Sequence, residues 1–167
     1  ARREGIDIAY DTLPYNEMDG AIRMILPEWV REGQDTSLFV ERLEDQENRQ
    51  RIMKEMEGGE VNYPFPGWDK LQICYVNSER LKYMEGKKIT EISLLEDKEP
   101  IDVLCDLLME DPEAGMGGFE INREEDLIAS LKDNISSIAS DTAGFGNFNR
   151  RINYGALAIA LGEYVRE

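Results

Sequence analysis

The stretch of residues 136–155 reads SSIASDTAGFGNFNRRINYG. With Ile135 before it, its beginning forms an apolar run, ISSIAS, that predicts a strand, and Asp141 follows this strand directly. Functional side chains gather at the carboxyl ends of parallel strands, where a carboxylate can accept a proton and pass it on. Asp141 is therefore a candidate catalytic residue. The alternative is an aspartate that bonds to the backbone of its own turn.

The second half of the same stretch combines glycines with arginines. Gly144 and Gly146 predict a loop free enough to suit a substrate, although any tight turn also uses glycine. Arg150 and Arg151 are candidates for bidentate binding of a carboxylate, and the alternative is that they are solvated surface arginines in an acidic protein. Tyr154 is expected to pack at the start of an amphipathic closing helix, GALAIALGEYVRE.

The amino-terminal segment GIDIAYDTLPY, residues 5–15, predicts a second strand that could border the same edge. It alternates apolar and polar residues and meets Pro14, which predicts a strand that ends in a turn. Tyr15 follows this proline and could line the same strand-end face as Asp141. Asp11 is a candidate second acid of such a pocket, or a turn residue.

The rest of the chain predicts an α/β protein. Strand-like runs occur in KLQICYV (70–76) and GMGGFEI (115–121), and helical spacing of apolar residues occurs between them. In the second half strands and helices alternate strictly, which predicts parallel strands joined by crossover helices. Residues 21–95 are rich in helices and interrupt this rhythm, so they predict an insertion.

Composition excludes several classes of function. The 167 residues carry a formal net charge of −16, which disfavours binding to the phosphate backbone of a nucleic acid. No apolar run approaches the ~18 residues that a membrane span needs. Cys74 and Cys105 each lie in an apolar run, so buried free thiols in a reducing cytoplasm are expected, with a disulfide as the alternative. The chain has no histidine and no CxxC pair, so it contains no recognisable zinc site.

Several segments read in order resemble one family, the N-acyl-D-amino-acid deacylases (D-aminoacylases) of the amidohydrolase superfamily. The resemblance covers nearly the whole chain and is carried by no single block. The blocks are EGIDIAYDTLPY, ILPEWVREG, VERLEDQENRQRI, WDKLQICYVNSERLKYMEGKKITEIS, PIDVLCDLLMED, REEDLIASLKD, IASD and NYGALAIALGEYVRE.

This resemblance implies a zinc-dependent amide hydrolase built on a TIM-type barrel, with N-acyl-D-amino acids as its small-molecule substrates. Asp141 matches the family's strand-end aspartate, which acts as general base and then as general acid beside the metal. Tyr15 matches a tyrosine of the family's YPY-like turn, which helps to hold the substrate's carboxylate, whereas Leu13 replaces the first tyrosine of that turn.

The chain also departs from the family pattern. Thr142 stands where the family usually has the glycine of SDG. The family's HPR-x-YG pattern places a histidine at Arg150 and a substrate-binding arginine at Ile152. Arg151 reaches that arginine position only by a shift of one residue. Recognition of a substrate carboxylate by Arg151 is therefore an open expectation.

The expected fold is a partial TIM-type barrel with a mostly helical insertion, because four strands cannot close a barrel, which takes ~250 residues. The expected division is residues 1–20 (barrel strand and substrate turn), 21–95 (inserted helical subdomain) and 96–167 (barrel β/α units). The family's metal ligands precede the matched blocks, so the chain is expected to be part of a longer enzyme or a gene fragment. The alternative is a non-catalytic module that forms a homodimer through open strand edges.

Overall fold

A computed structural model describes residues 4–33, 36–120, 123–141 and 151–166, without the side chains of 17–19, 118–120 and 151–154. The chain forms two compact units. The first, called the strand-pair unit, consists of the described parts of Ala1–Glu17, Glu120–Gly144 and Asn149–Glu167. The second, called the helical unit, consists mainly of Met18–Phe119.

The strand-pair unit is built on two short parallel strands. Strand β1 (Tyr10–Thr12) pairs with β5 (Ser136–Ile138) in the register Tyr10↔Ser136 and Thr12↔Ile138. Helix α6 (Glu124–Lys132) packs against both strands. Helix α7 (Arg151–Ile159) continues into a π-helical turn, Ala160–Tyr164. Both predicted segments contain a strand, although β1 covers only Tyr10–Thr12 of the predicted residues 5–15.

Hydrogen bonds fix the register of this pair. The Tyr10 amide donates to the Ile135 carbonyl, and the Ala139 amide donates to the Thr12 carbonyl, each at 3.1 Å. The hydroxyl groups of Thr12 and Ser136 lie 2.7 Å apart on one face of the pair. Parallel pairing of the first strand with the strand before Asp141 is thus the arrangement that brings two strand ends to one edge.

The helical unit contains the remaining strands and helices. Its three-stranded sheet has the order β2 (Glu17–Ala21), β4 (Gly115–Glu120), β3 (Gln72–Tyr75). Its helices are α1 (Glu28–Arg31), α2 (Thr36–Glu44), α3 (Gln46–Glu57), α4 (Ile89–Glu96) and α5 (Pro100–Glu110), with 3₁₀ turns at Ile22–Ile25 and Glu79–Met84.

Local sequence explains where these helices begin. The Asp45 side chain accepts a hydrogen bond from the Asn48 amide at 2.8 Å and so caps the first turn of α3. Pro100 occupies the start of α5, where its missing N–H costs no helical bond. Helix α5 packs against α2, α3 and α4 and carries six buried residues. It forms the centre of the hydrophobic core of this unit.

Two expectations about secondary structure are wrong. Strand β4 pairs with β3 in an antiparallel register, so parallel pairing does not hold throughout the second half. The apolar residues Ile22, Ile25, Leu26 and Trp29 have helical spacing and predict one helix in residues 21–33. The segment forms two short helical pieces instead, because Pro27 separates the 3₁₀ turn from α1. The spacing of apolar residues does not reveal this break, because it takes no account of the backbone N–H that proline lacks.

Two whole-chain expectations can be compared with the described residues. Cys74 and Cys105 are both buried thiols, as predicted. Within the described ranges, no helix has the length and apolar character to cross a membrane.

Candidate functional site

The ends of β1 and β5 place two candidate residues at one edge of the strand pair. Tyr15 lies three residues beyond Thr12, the last residue of β1, and Asp141 lies three residues beyond Ile138, the last residue of β5. Since Thr12 and Ile138 are register partners, continuing the register leads to Tyr15 on one chain segment and Asp141 on the other. Carboxyl ends of neighbouring parallel strands therefore meet here.

A direct hydrogen bond joins the two ends. The Tyr15 hydroxyl donates to the backbone carbonyl of Ser140, the residue before Asp141. The structure therefore brings the predicted tyrosine next to the predicted carboxylate, which lie more than a hundred residues apart in sequence. We call Tyr15, Ser140 and Asp141 the edge site.

Asp141 has an unusual backbone conformation within this edge site. Its φ is 44°, in the left-handed region, and its side chain is exposed. Aspartate tolerates this region better than most residues because its short side chain can bond locally. Among the described residues its carboxylate has no hydrogen-bond or ion-pair partner. The left-handed backbone of Asp141 is typical of a turn residue. Its exposed carboxylate is compatible with proton transfer.

The remaining candidates of the 136–155 stretch fall outside what the structure describes. Gly144, Gly146 and Arg150 lie outside the described residues. Helix α7 begins at Arg151, but the side chains of Arg151 and Tyr154 are also outside the description. Binding of a substrate carboxylate by Arg151 therefore stays a prediction.

Asp11 lies in the middle of β1 and not in a turn. Its carboxylate accepts a hydrogen bond from the Ser137 hydroxyl of β5, directly across the parallel pair. A cross-strand bond of this kind stabilises the register of the sheet. The contact assigns Asp11 to strand pairing.

Three residues beside the edge site were missed by sequence reasoning. The Glu124 carboxylate accepts one hydrogen bond from the Asn16 side-chain amide at 2.7 Å and another from the Tyr164 hydroxyl at 3.0 Å. An acid in the first turn of α6 is expected for the helix dipole alone, so its position gave no sign of these two bonds. Asn16 follows Tyr15 directly, and this proximity to a candidate is the one signal that pointed to it.

The zinc implied by the family resemblance does not fit these residues. The chain has no histidine, and no group of three or more Cys, Asp or Glu side chains in the described ranges is arranged to hold a metal ion. A thiolate ligand is also disfavoured, since burial raises the pKa of Cys105 to about 12 and keeps that thiol protonated.

Two surface cavities of about 620 and 630 Å³ lie within the helical unit. The first is lined by Arg23, Arg31 and Phe39, and Arg23 pairs with Glu113 across it at 2.6 Å. The second contains Lys98, which bridges Glu96 at 3.0 Å and Asp106 at 2.8 Å. In both cavities charged side chains pair with one another, which is typical of a surface ion-pair network.

Comparisons with known proteins show which fold the chain resembles. No protein-family model and no curated protein matches the chain. The structure of an N-acyl-D-glutamate deacylase from Bordetella bronchiseptica, complexed with zinc and a phosphonate inhibitor, matches 99% of this chain with a TM-score of 0.60 and 16% identity. The chain has the fold of part of a D-aminoacylase. Two structures of D-aminoacylase, an amidohydrolase, match 98% of it with a TM-score of 0.58 and 18% identity.

The likeness to D-aminoacylase is partial in length. The chain spans about a quarter of those structures, 26% of the N-acyl-D-glutamate deacylase and 25% of each D-aminoacylase. One of the D-aminoacylase structures concerns a binuclear metal centre, a property of that protein. The D-aminoacylase-like fold supports the resemblance seen in the sequence blocks, since both extend over nearly all of this chain.

Proposed function

We propose that this chain is part of an amide hydrolase that acts on N-acyl-D-amino acids, and that the edge site is its contribution to catalysis. The observation that carries the proposal is the hydrogen bond from Tyr15 to Ser140, because it joins the two strand ends beside Asp141. The fold likeness to D-aminoacylases supports this class of reaction. In the TIM-type barrel that the resemblance implies, β1 and β5 would be neighbouring barrel strands.

In this proposal Asp141 transfers the proton of the reaction. Its carboxylate accepts a proton from the water whose oxygen bonds to the amide carbon. It then gives that proton to the amide nitrogen as the C–N bond breaks, so the products are a free carboxylic acid and an amino acid. The exposed position of Asp141 is compatible with both steps. Zinc chemistry of the implied family would come from ligands other than the described residues.

In the same proposal Tyr15 orients the substrate. A phenol has a single O–H donor, and in the structure Ser140 accepts it. A substrate carboxylate would therefore compete with the Ser140 carbonyl for this donor. Binding of the substrate would release Ser140 and move the backbone next to Asp141. Arg151 is proposed as the second group for the same carboxylate.

Release of free amino acid from N-acetyl-D-amino acids tests the proposal. The complete gene product is incubated with zinc and with D- and L-substrates, and we expect release from the D-series. Asp141→Asn is expected to lower kcat by about 10²–10⁴-fold. Asp97→Asn is the matched control, because Asp97 also has a left-handed backbone, with φ 53°, but lies in the helical unit.

Two outcomes would contradict this proposal in different ways. Full activity of the Asp141→Asn variant would remove Asp141 from the mechanism. A complete gene product that releases no amino acid from any N-acyl-D-amino acid would contradict the substrate class. The division into residues 1–20, 21–95 and 96–167, and a location in a reducing cytoplasm, remain predictions of the same proposal.

A second candidate function is a non-catalytic module that self-associates. The described sheet of the strand-pair unit has only two strands, and parallel sheets are normally covered on both faces. Ile6, Ile8 and Ile138 on or beside these strands are exposed. A second copy of the chain could pair with an open edge and cover these side chains.

Sedimentation velocity at several concentrations distinguishes this second candidate. Self-association through the strand edges predicts a dimer whose population rises with concentration and falls in an Ile8→Lys variant. Leu94→Lys is the control, since Leu94 is 85% exposed but belongs to the helical unit. A clean monomer at all concentrations would contradict the module, whereas it is compatible with the enzyme.

A further inference from the structure

The carboxylate of Glu124 joins two segments that are distant in sequence. Its Oε2 accepts from the Asn16 amide nitrogen at 2.7 Å, and its Oε1 accepts from the Tyr164 hydroxyl at 3.0 Å. Glu124 is the first residue of α6, and Tyr164 ends the π-helical turn after α7. Each oxygen of one carboxylate thus holds one donor, which is the pattern that an acceptor-only group favours.

The Asn16 side chain depends on this carboxylate. Its Oδ1 is inaccessible to solvent and has no hydrogen-bond partner among the described residues, so its bond to Glu124 is the one that orients the amide. Turning the amide over would place Oδ1 against the Glu124 carboxylate, which repels it. Without Glu124, the Nδ2 donor would lose this partner while Oδ1 stays shielded from solvent without one, which disfavours the present position of the amide.

Asn16 and Tyr15 are consecutive residues of one turn that is fixed on both sides. The Tyr15 hydroxyl bonds to the Ser140 carbonyl beside Asp141, and the Asn16 amide bonds to Glu124. Movement of Asn16 away from Glu124 would therefore move Tyr15 relative to the strand end that carries Asp141. The Asn16 bond as well as the Tyr15 bond therefore holds this turn in position.

We propose that Glu124 is a positioning residue, whose carboxylate holds the Tyr15–Asn16 turn and the chain end at Tyr164 in place and so fixes Tyr15 beside Asp141. The effect of this positioning on catalysis rests on the function proposed above, whereas the position of the Tyr15–Asn16 turn does not depend on that function. Neither the sequence pattern nor the fold likeness assigns this positioning role to Glu124, Asn16 and Tyr164.

Tyr164 supplies a spectroscopic report of this arrangement. Burial and, next, the hydrogen bond to Glu124 raise the pKa of the Tyr164 phenol to about 12. The negative charge of Glu163 acts in the same direction. Because ionising this phenol would place a second negative charge beside Glu124, replacing that carboxylate by a neutral amide must lower the pKa.

The test compares Glu124→Gln with Glu125→Gln in chains labelled with ¹³C at tyrosine Cζ and with ¹⁵N. Glu125 is the matched control, since it is the next residue of α6 and its side chain is 76% exposed. In Glu124→Gln we expect the pKa of Tyr164 to fall from about 12 towards its ordinary value of 10.0. We also expect the Tyr15 Cζ and Ser140 amide resonances to shift. Glu125→Gln should leave all three signals in place.

Asn16→Ala separates the two bonds and serves where Glu124→Gln does not fold. It should shift the Tyr15 and Ser140 signals while the pKa of Tyr164 stays raised, because Glu124 remains. If Glu124→Gln changes only Tyr164, or if Asn16→Ala leaves the Tyr15 signal unchanged, Glu124 does not position the edge site and the inference is wrong.

Activity of the complete gene product gives a separate readout. Misplacement of a positioning residue is expected to lower kcat/KM about 10–100-fold for Glu124→Gln and to leave Glu125→Gln unaffected. The absence of any deacylase activity would contradict the proposed function, while the resonance shifts would still decide the geometry. A variant that shifts the Tyr15 signal but retains full kcat/KM would overturn the positioning role.

Discussion

The helical unit and the strand-pair unit bury their apolar side chains to different extents. In the helical unit a continuous core runs from Ile22 to Met116, with Leu104 and Ile52 fully buried. In the described part of the strand-pair unit the buried hydrophobic residues are Leu127, Ala156 and Ala160. The described part of the same unit also exposes large apolar side chains, which are Ile6, Ile8, Tyr10, Ile138, Leu157, Leu161 and Val165.

The unit that contributes most to stability is therefore not the unit that contains the candidate catalytic residue. Burial of apolar area supplies most of the free energy of folding, so the helical unit carries the larger share of it. The edge site lies in the other unit, where few apolar contacts and short strands are expected to give lower local stability. Substitutions in the core of the helical unit are therefore expected to change the free energy of unfolding strongly. Substitutions in the strand-pair unit are expected to change small local opening equilibria.

The largest expected effect is a cavity in the helical core. Leu104→Ala should lower the free energy of unfolding by about 2–5 kcal/mol, because Leu104 is fully buried on α5. Urea unfolding followed by circular dichroism measures this change. Leu94→Ala is the control, with an exposed side chain on α4. Equal losses in the two variants would contradict a core centred on α5.

The next effect concerns a buried arginine that joins three helices. Arg49 on α3 bonds to the Leu43 carbonyl at 2.7 Å, to Asp102 at 2.8 Å and to Asp106 at 2.9 Å. Arg49→Met keeps the apolar stem but removes these charged hydrogen bonds, so a loss of about 1.5–3 kcal/mol is expected. The same urea unfolding measures it.

Arg80→Met is the control for this arginine. The Arg80 side chain is 80% exposed and pairs with Glu110 at the surface, so its loss should be below about 1 kcal/mol. A larger loss for Arg80→Met than for Arg49→Met would show that burial does not rank these ion pairs.

How far the sequence predicts the fold depends on how local the determining pattern is. The strand before Asp141 and the change of direction at Pro14 follow from adjacent residues, and the structure has strand β5 and a bend at Pro14 and Tyr15. Strand β2 was not predicted, because EMDGA contains Asp19 and Gly20, which are poor strand formers, and the segment is placed in the three-stranded sheet beside β4. Tertiary pairing overrides local propensity there.

The candidate site shows the same limit. Sequence reasoning placed Tyr15 and Asp141 at one edge because parallel strands align their ends. It could not find the bond between Asn16 and Glu124, since 108 positions separate the two residues and no periodic pattern links them. An acid in the first turn of a helix is expected for its dipole, so the second task of Glu124 leaves no signal in one sequence.

A smaller effect in the helical unit is its dependence on pH. Burial alone would raise the pKa of Asp106, but hydrogen bonds from Lys98 and Arg49 outweigh burial and hold it below its ordinary value of 3.8. A depressed pKa in the folded state stabilises the protein above that value, and this stabilisation is lost as the pH falls below it. The change should be of the order of 1 kcal/mol, because Asp106 is partly exposed.

Unfolding between pH 7 and pH 2 measures this dependence. Asp106→Asn should be less stable than the unaltered chain at pH 7 and should lose less stability on acidification. Asp69→Asn, at an exposed position of the same unit, should follow the unaltered chain. An Asp106→Asn curve parallel to the unaltered curve would contradict the depressed pKa.

The smallest expected effect tests whether the edge site holds the strand pair together. Tyr15→Phe removes the hydrogen bond to the Ser140 carbonyl but leaves the ring. An exposed neutral bond of this kind is worth about 0.5 kcal/mol, which corresponds to roughly a two- to threefold change in a local opening equilibrium. The amide of Ala139 is the appropriate reporter, because it donates to Thr12 across the pair at 3.1 Å. Its hydrogen exchange should become faster by that factor in Tyr15→Phe, while the amides of α5 keep their rates.

Tyr63→Phe, at an exposed tyrosine of the helical unit, should change neither the exchange of Ala139 nor that of α5. If Ala139 exchange is unaffected, the bond between Tyr15 and Ser140 does not stabilise the pair, and Tyr15 is then held to its strand end through Asn16 and Glu124.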